Sequence, residues 1–336
     1  MVTSQNSFVY YPLFQGKFKA LLEEVRGKRI VVVGHRRPDG DCIGSQVALV
    51  RLLQGAGVEA CAVNADPVPQ KLTFLVEETP VIQPASLSGK WDAVISVDCS
   101  DAYRMGPELQ ERFPDIIASF DHHASNSGFA KYDFIDEKSA ATAQLLAGLF
   151  LDAGFDVDAV TAQALFTGIA TDTGQFQYGS TTQAVFQLAA YLVERGAKPG
   201  HISEALYEHV SLARVRLLQR FLASLCIEFN GKVCIGILPK VFFDATGACS
   251  EDVEGLVEYT RSIDGVEIGV LLEELSGEIK GSLRAKREAY RVDLLAAALG
   301  GGGHRCASGF RVEGSIESIY PKIMEVIQKH LNAIKN

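Results

Sequence analysis

The run Arg29-Ile30-Val31-Val32-Val33-Gly34 constrains this chain more than any other stretch, because a continuous β-branched run bounded by a glycine is the pattern of a parallel strand covered on both faces. A sheet built from such strands needs helices above and below it. The chain supplies them. Asp41 to Gly55 reads as a helix that opens on an Asp and closes at Gly55-Ala56-Gly57, and Val58 to Val63, Ala93 to Val97 and Ile116 to Phe120 are further short apolar strands. Helical patterns follow at Ala140 to Ala153, Asp158 to Thr171 and Thr181 to Arg195. This order predicts a doubly wound α/β domain with a mainly parallel sheet over residues 12–195.

A helical, more charged connector is predicted over 196–224, since Ile202 to Leu225 carries Arg214, Arg216 and Arg220 without a new strand. Beyond it, Asn230-Gly231 between two apolar runs is a strong hairpin signal. Strands at Val266 to Glu273, Glu278 to Leu283 and Ser308 to Val312, with helices at Val292 to Leu299 and Ile316 to Leu331, give a smaller mixed α/β domain over 225–334. At 336 residues, two domains are also what length suggests.

Composition excludes several classes. With 41 acidic against 32 basic residues the net charge is −9, so long duplex nucleic acid, which demands a broad basic face, is an unexpected partner. No apolar stretch is long enough to span a bilayer, and Met1 to Tyr11 lacks the features of a secretory signal; a cytoplasmic protein with no membrane partner is the expectation. Seven scattered cysteines without a CxxC pair argue against a disulfide scaffold or a zinc-thiolate site and read as mostly buried thiols. A homodimer is left open.

The chemistry concentrates at strand and helix ends. His35-Arg36-Arg37-Pro38-Asp39-Gly40-Asp41 follows the first strand directly, where an open α/β sheet binds ligands. An ordinary polar turn with Asp41 as helix cap would use the same letters. Asp98 follows the strand at 93–97, Asp121-His122-His123 follows that at 116–120, and Asp172 ends the helix at 158–171. Each alone is weak. Together they are costly to gather at one sheet edge without cations to compensate desolvation and repulsion. His35, Asp39, Asp41, Asp98, His122 and Asp172 suffice to hold two metal ions sharing one carboxylate, the arrangement suited to in-line displacement at phosphorus.

These segments resemble the DHH phosphoesterase family: HRRPDGDCIGS at 35–45, Asp98 in VDCSD, DHH at 121–123 and Asp172 in TDTGQFQY occur in the family's order. The second domain is similar to the DHH-associated substrate domain through Gly281-Ser282-Leu283-Arg284 and Gly300-Gly301-Gly302-Gly303-His304, which continues as RCASGF. The resemblance implies that His35 and Asp39 hold one divalent ion, Asp41, His122 and Asp172 the other, and that Asp98 bridges them. Manganese is the implied ion. Asp121 would orient a ligating imidazole, and His123 would contact the scissile phosphate and assist the leaving group. Arg284 would clamp a second phosphate, while Gly302, Gly303 and His304 would approach the substrate across a cleft. A dinucleotide-binding loop is the competing reading of the glycine run, but this run follows a helix and precedes a strand, the reverse of that fingerprint. Arg104 is left unassigned between the cleft and an acidic partner.

Within the family, the compact two-domain layout looks most like the oligoribonuclease and 3′-phosphoadenosine 5′-phosphate phosphatase group. The implied substrates are short single-stranded oligonucleotides or a nucleotide bisphosphate. Hydrolysis of linear dinucleotides in cyclic-dinucleotide turnover and of inorganic polyphosphate are the enzymatic alternatives. A non-catalytic nucleotide sensor is the alternative of another class, and a manganese-dependent hydrolysis assay separates it.

Overall fold

The structure, a computed structural model, describes residues 9–334, so the first eight residues of the Met1 to Tyr11 segment lie outside the description. It divides into two compact units, 1–209 and 210–336. The division falls inside the stretch read as a connector. Its second half, Leu212–Ala223, is not a free linker, because Leu217 and Phe221 are buried in the core of the second unit with Leu238, Leu256 and Leu271.

In the first unit, β1 (Arg29–Val33), β2 (Glu59–Val63), β3 (Val81–Ile82), β4 (Ala93–Val97), β5 (Ile116–Asp121) and β6 (Tyr132–Ile135) form one sheet in the order β3-β2-β1-β4-β5-β6. Every pairing is parallel. Strands β3 and β6 have little sequence signal, the one being two residues long and the other, Tyr-Asp-Phe-Ile, half-buried and interrupted by a charge. After β1 the chain moves outward through β2 and β3, then returns to β1's other side as β4. The strand order therefore reverses between β1 and β4, which is where such sheets open a ligand crevice beyond their carboxyl ends.

Helices α1 (Gln15–Val25), α2 (Gly40–Gly55), α3 (Pro107–Arg112), α4 (Thr142–Asp152), α5 (Ala159–Asp172), α6 (Gln183–Glu194) and α7 (Pro199–Ser203) complete the unit. Helix α1 buries Phe18, Leu21 and Val25. Helix α2 is buried nearly throughout, from Gly40 to Leu53. Its contact with α5 is unusually close: a Cβ added at Gly44 would stand 2.3 Å from the carbonyl oxygen of Ala164, and one at Gly168 would stand 2.8 Å from Asp41 Oδ1. Glycine at both positions lets the start of α2 and the end of α5 meet, bringing Asp41 and Asp172 together. Gly44→Ala is accordingly expected to force these helices apart at about 1–3 kcal/mol. Thermal melts should show a lower Tm and metal analysis a weaker hold on added manganese; an unchanged Tm would contradict the packing argument.

The second unit holds α8 (Leu212–Ala223), α9 (Lys240–Thr246), α10 (Leu256–Ser262), α11 (Val292–Ala298) and α12 (Ile316–Ile334) around a mixed sheet. The strands β7 (Cys226–Glu228), β8 (Val233–Leu238), β9 (Ile268–Glu274), β10 (Glu278–Ala285), β11 (Gly302–His304) and β12 (Ala307–Glu313) are ordered β11-β12-β10-β9-β8-β7. Only β8 and β9 pair in parallel. Phe229, Asn230 and Gly231 all take positive φ in the β7–β8 turn, as the Asn-Gly signal predicts. Helix α12 buries Ile319, Ile323, Ile327 and Leu331, a repeat of four residues that lays one stripe on the core. Among the described residues no helix is long and apolar enough to cross a membrane.

Candidate metal centre

The sequence places its acids and imidazoles at the ends of β1, β4, β5 and α5, and the topology brings those ends together. Asp39 rather than Asp41 caps α2: its Oδ1 accepts from the backbone N–H groups of Asp41 and Cys42, each at 3.1 Å. Asp41 turns inward instead. Fully buried, it accepts from Thr142 N at 2.7 Å and Ala143 N at 2.8 Å, joining the start of α2 to the positive end of α4.

His35 Nδ1 lies 2.9 Å from the carbonyl oxygen of Arg36, and because a carbonyl only accepts, that nitrogen carries a proton. Its Nε2 then faces Asp98 Oδ2 at 3.3 Å and Asp39 Oδ1 at 3.7 Å. His122 is arranged likewise. Its Nδ1 lies 3.3 Å from the Ser139 carbonyl, and its Nε2 faces Asp172 Oδ2 at 3.2 Å, Asp98 Oδ1 at 3.7 Å and Asp41 Oδ2 at 3.9 Å.

Asp98 stands between the two imidazoles. It is buried, accepts from Thr142 Oγ1 at 3.0 Å, and holds a left-handed φ of 57°, a conformation that few side chains other than Asp and Asn adopt readily. Backbone strain of this kind persists where the surroundings over-determine a residue.

The electrostatics are those of a site built for cations. Burial works to lower the pKa of His35, but the bonds and charges of Asp39 and Asp98 outweigh it and hold the ring up at about 10. His122 likewise stands at about 10, with burial opposed by Asp172, Asp41 and Asp98. Asp41 is pushed well above the carboxylate range by burial and by the charges of Asp98 and Asp172, and Asp172 is raised by burial as well. His122 Nε2 is buried, and although Asp172 Oδ2 lies 3.2 Å away, it makes no well-aligned hydrogen bond. A buried imidazole nitrogen facing three carboxylates fits the chemistry of a divalent cation, which satisfies lone pairs on all of them at once. Three clusters could hold such ions: His35 with Cys42 and Asp98, Asp98 with His122 and His123, and Asp41 with His122 and Asp172.

The imidazole that Asp121 holds is that of His123: its Oδ1 accepts from His123 Nδ1 at 2.7 Å, while its Oδ2 accepts from Asn126 Nδ2 at 2.8 Å. Both rings reach the site, their centroids 4.7 Å apart, with His122 Nε2 at 3.7 Å and His123 Nδ1 at 3.8 Å from Asp98 Oδ1. The Asp121 bond, against the pull of burial, raises the His123 pKa. Thr142, Ser139, Asn126 and Cys42 escape sequence reading, since each reaches the site through packing or through an unremarkable backbone atom.

In the second unit, Arg284 lies on β10 and its Nε donates to Glu258 Oε1 on α10 at 2.8 Å. The glycine run is not an open loop throughout, because Gly302-Gly303-His304 pairs antiparallel with Ala307-Ser308-Gly309. A Cβ at Gly301 would stand 2.1 Å from the Gly309 carbonyl oxygen and one at Gly303 would stand 2.7 Å from Ser308 Cα. Glycine at 301 and 303 serves the chain's own β12, whereas Gly300 and Gly302 have open space beside them. His304 is exposed at the end of β11.

Residues 29–169 match the DHH family, N-terminal domain, and residues 230–335 match the DHHA1 domain. The chain is 31% identical over 312 residues to the bifunctional oligoribonuclease and PAP phosphatase NrnA of Thermus thermophilus, spanning 93% of this chain and 92% of that protein. It is 24% identical over 285 residues to the protein of the same name from Bacillus subtilis, spanning 83% and 88%. An exopolyphosphatase-related protein from Bacteroides fragilis superposes with a TM-score of 0.87 at 24% identity, covering 96% of this chain and 97% of that one, and so shares the fold.

Proposed function

This chain belongs to the DHH family, and from that membership and the donor geometry we propose that it is a phosphoesterase acting with two divalent ions on short oligonucleotides, on 3′-phosphoadenosine 5′-phosphate, or on both. The observation that carries the reading is the buried Nε2 of His122, which faces Asp41, Asp98 and Asp172 together without a well-aligned hydrogen bond to any of them. His35 and Asp39 would hold one ion, Asp41, His122 and Asp172 the other, with Asp98 shared. Manganese suits this mixed set of carboxylates and imidazoles. When bound, the ions supply Lewis-acid activation of water and neutralisation of charge developing at phosphorus.

The chain's own groups do the rest. Thr142 Oγ1 and the backbone N–H groups of Thr142 and Ala143 fix Asp98 and Asp41 in place, which keeps the donors from collapsing onto one another. His123, half-exposed and held by Asp121, keeps a proton on Nε2 for the leaving oxygen, the role of a general acid with a raised pKa. Two relatives named as oligoribonuclease and PAP phosphatase support the substrate class.

The test is a manganese-supplemented assay of the purified full chain on short RNA, short DNA, 3′-phosphoadenosine 5′-phosphate and polyphosphate. Release of nucleoside monophosphate or phosphate, stopped by chelator, is expected. Bound manganese with no turnover on any of the four would favour the sensor instead. We assign Arg284 to a terminal phosphate of the substrate, and Arg284→Ala is expected to raise KM for a 5′-phosphorylated dinucleotide about tenfold with metal content unchanged. Equal KM values for variant and parent would remove Arg284 from the binding site.

A further inference from the structure

Arg36, Arg37 and Arg104 are exposed and none of them forms an ion pair among the described residues. Arg29, Arg51, Arg195, Arg287, Arg291 and Arg305 all pair with acids. Two acids of these turns bond the arginines' backbone rather than their guanidinium groups: Asp66 Oδ2 accepts from the N–H of Arg37 at 2.8 Å, and Asp101 Oδ1 from that of Arg104 at 3.2 Å.

The fold also holds these arginines at one place. Arg36 N donates to the carbonyl of Arg104 at 2.8 Å, joining the turn after β1 to the turn after β4. The Arg36 side chain crosses Gly106, where an added Cβ would stand 3.3 Å from its Cδ. Arg36 follows His35 in the chain and its carbonyl orients that imidazole. Next to Arg104, Tyr103 is 76% exposed, and among the described residues its ring has no partner. Unpaired guanidinium groups beside an exposed ring are what single-stranded nucleic acid requires, phosphates meeting cations and a base stacking on the aromatic face.

We propose that Arg36, Arg37, Arg104 and Tyr103 form a single-strand subsite beside the metal centre, in which the arginines engage phosphates flanking the scissile one and Tyr103 stacks on a base. The subsite rests on the hydrolase reading above and deepens it, because it selects a strand over a single nucleotide. With no carboxylate tied to their guanidinium groups among the described residues, the three side chains are free to take phosphate oxygens.

The test compares a pentanucleotide with a dinucleotide lacking terminal phosphates, whose only phosphate is the scissile one. In the R36Q/R104Q double variant, KM for the pentamer should rise about tenfold more than KM for the dimer, with manganese content as in the parent. Between 50 and 200 mM salt, the slope of log KM against log salt for the pentamer should shrink by about 1.4, the share of two phosphate contacts on a single strand. Tyr103→Leu should raise KM for RNA and DNA pentamers alike, about fivefold or more. A parent active on the pentamer and a double variant with the same KM ratio and salt slope would overturn the subsite alone. A parent that hydrolyses neither substrate would overturn the hydrolase reading and the subsite with it.

Discussion

Asp98→Asn is expected to lower turnover at least about a thousandfold while leaving a folded chain. Asp98 is the one carboxylate that faces both imidazoles, at 3.3 Å from His35 Nε2 and 3.7 Å from His122 Nε2. Replacing one carboxylate oxygen by an amide removes the charge that two cations would share. Asn is a better probe than Ala here, because the position has a φ of 57° and Asn tolerates the left-handed region, and because its amide oxygen can still accept from Thr142 Oγ1. A fall in Tm would otherwise confuse a lost ligand with a strained backbone. Metal analysis should show fewer manganese ions per chain. Retention of more than about a tenth of parental turnover would remove Asp98 from the centre of the mechanism.

How far the sequence foretells this site depends on whether the determinant is local. The strand before His35, the Asp after β4 and the DHH run after β5 are each written in a few consecutive residues, and a parallel sheet gathers strand ends without further instruction. The placing of Asp172 needs more, since α5 must lie against α2. Gly44 and Gly168 make that possible, but two helical glycines in a sequence do not announce which helices they join. The hydrogen-bond partner of Asp121 is less legible, because His122 and His123 both reach the site and the letters alone do not say which ring it holds. The glycine run carries a second determinant. Gly301 and Gly303 also answer the close approach of β11 and β12 across the Arg305-Cys306 turn, a need that the run of letters does not show.

Manganese affinity is expected to climb steeply with pH between 6 and 8, and a chelator to abolish hydrolysis entirely. In the metal-free site, the surrounding carboxylates overcome burial and hold the His35 and His122 pKa values at about 10, so both rings carry an extra proton across this window. A ring must release that proton before its Nε2 can ligate. Raising pH therefore favours metal. Each displaced proton steepens the dependence by about tenfold per pH unit, so two give up to about a hundredfold per unit. Any proton on Asp41 or Asp172, both raised above the ordinary carboxylate range, leaves in the same direction and adds to the slope. Titration calorimetry at pH 7 in two buffers of different ionisation enthalpy should count about two protons released as the site fills. Hydrolysis should then rise with pH alongside occupancy, and at saturating manganese any decline at higher pH would report the loss of the His123 proton, held up by Asp121. A dissociation constant that is the same at pH 6 and pH 8 would show that manganese binds without displacing these protons, and would place the metal outside the His35–Asp98–His122 cluster.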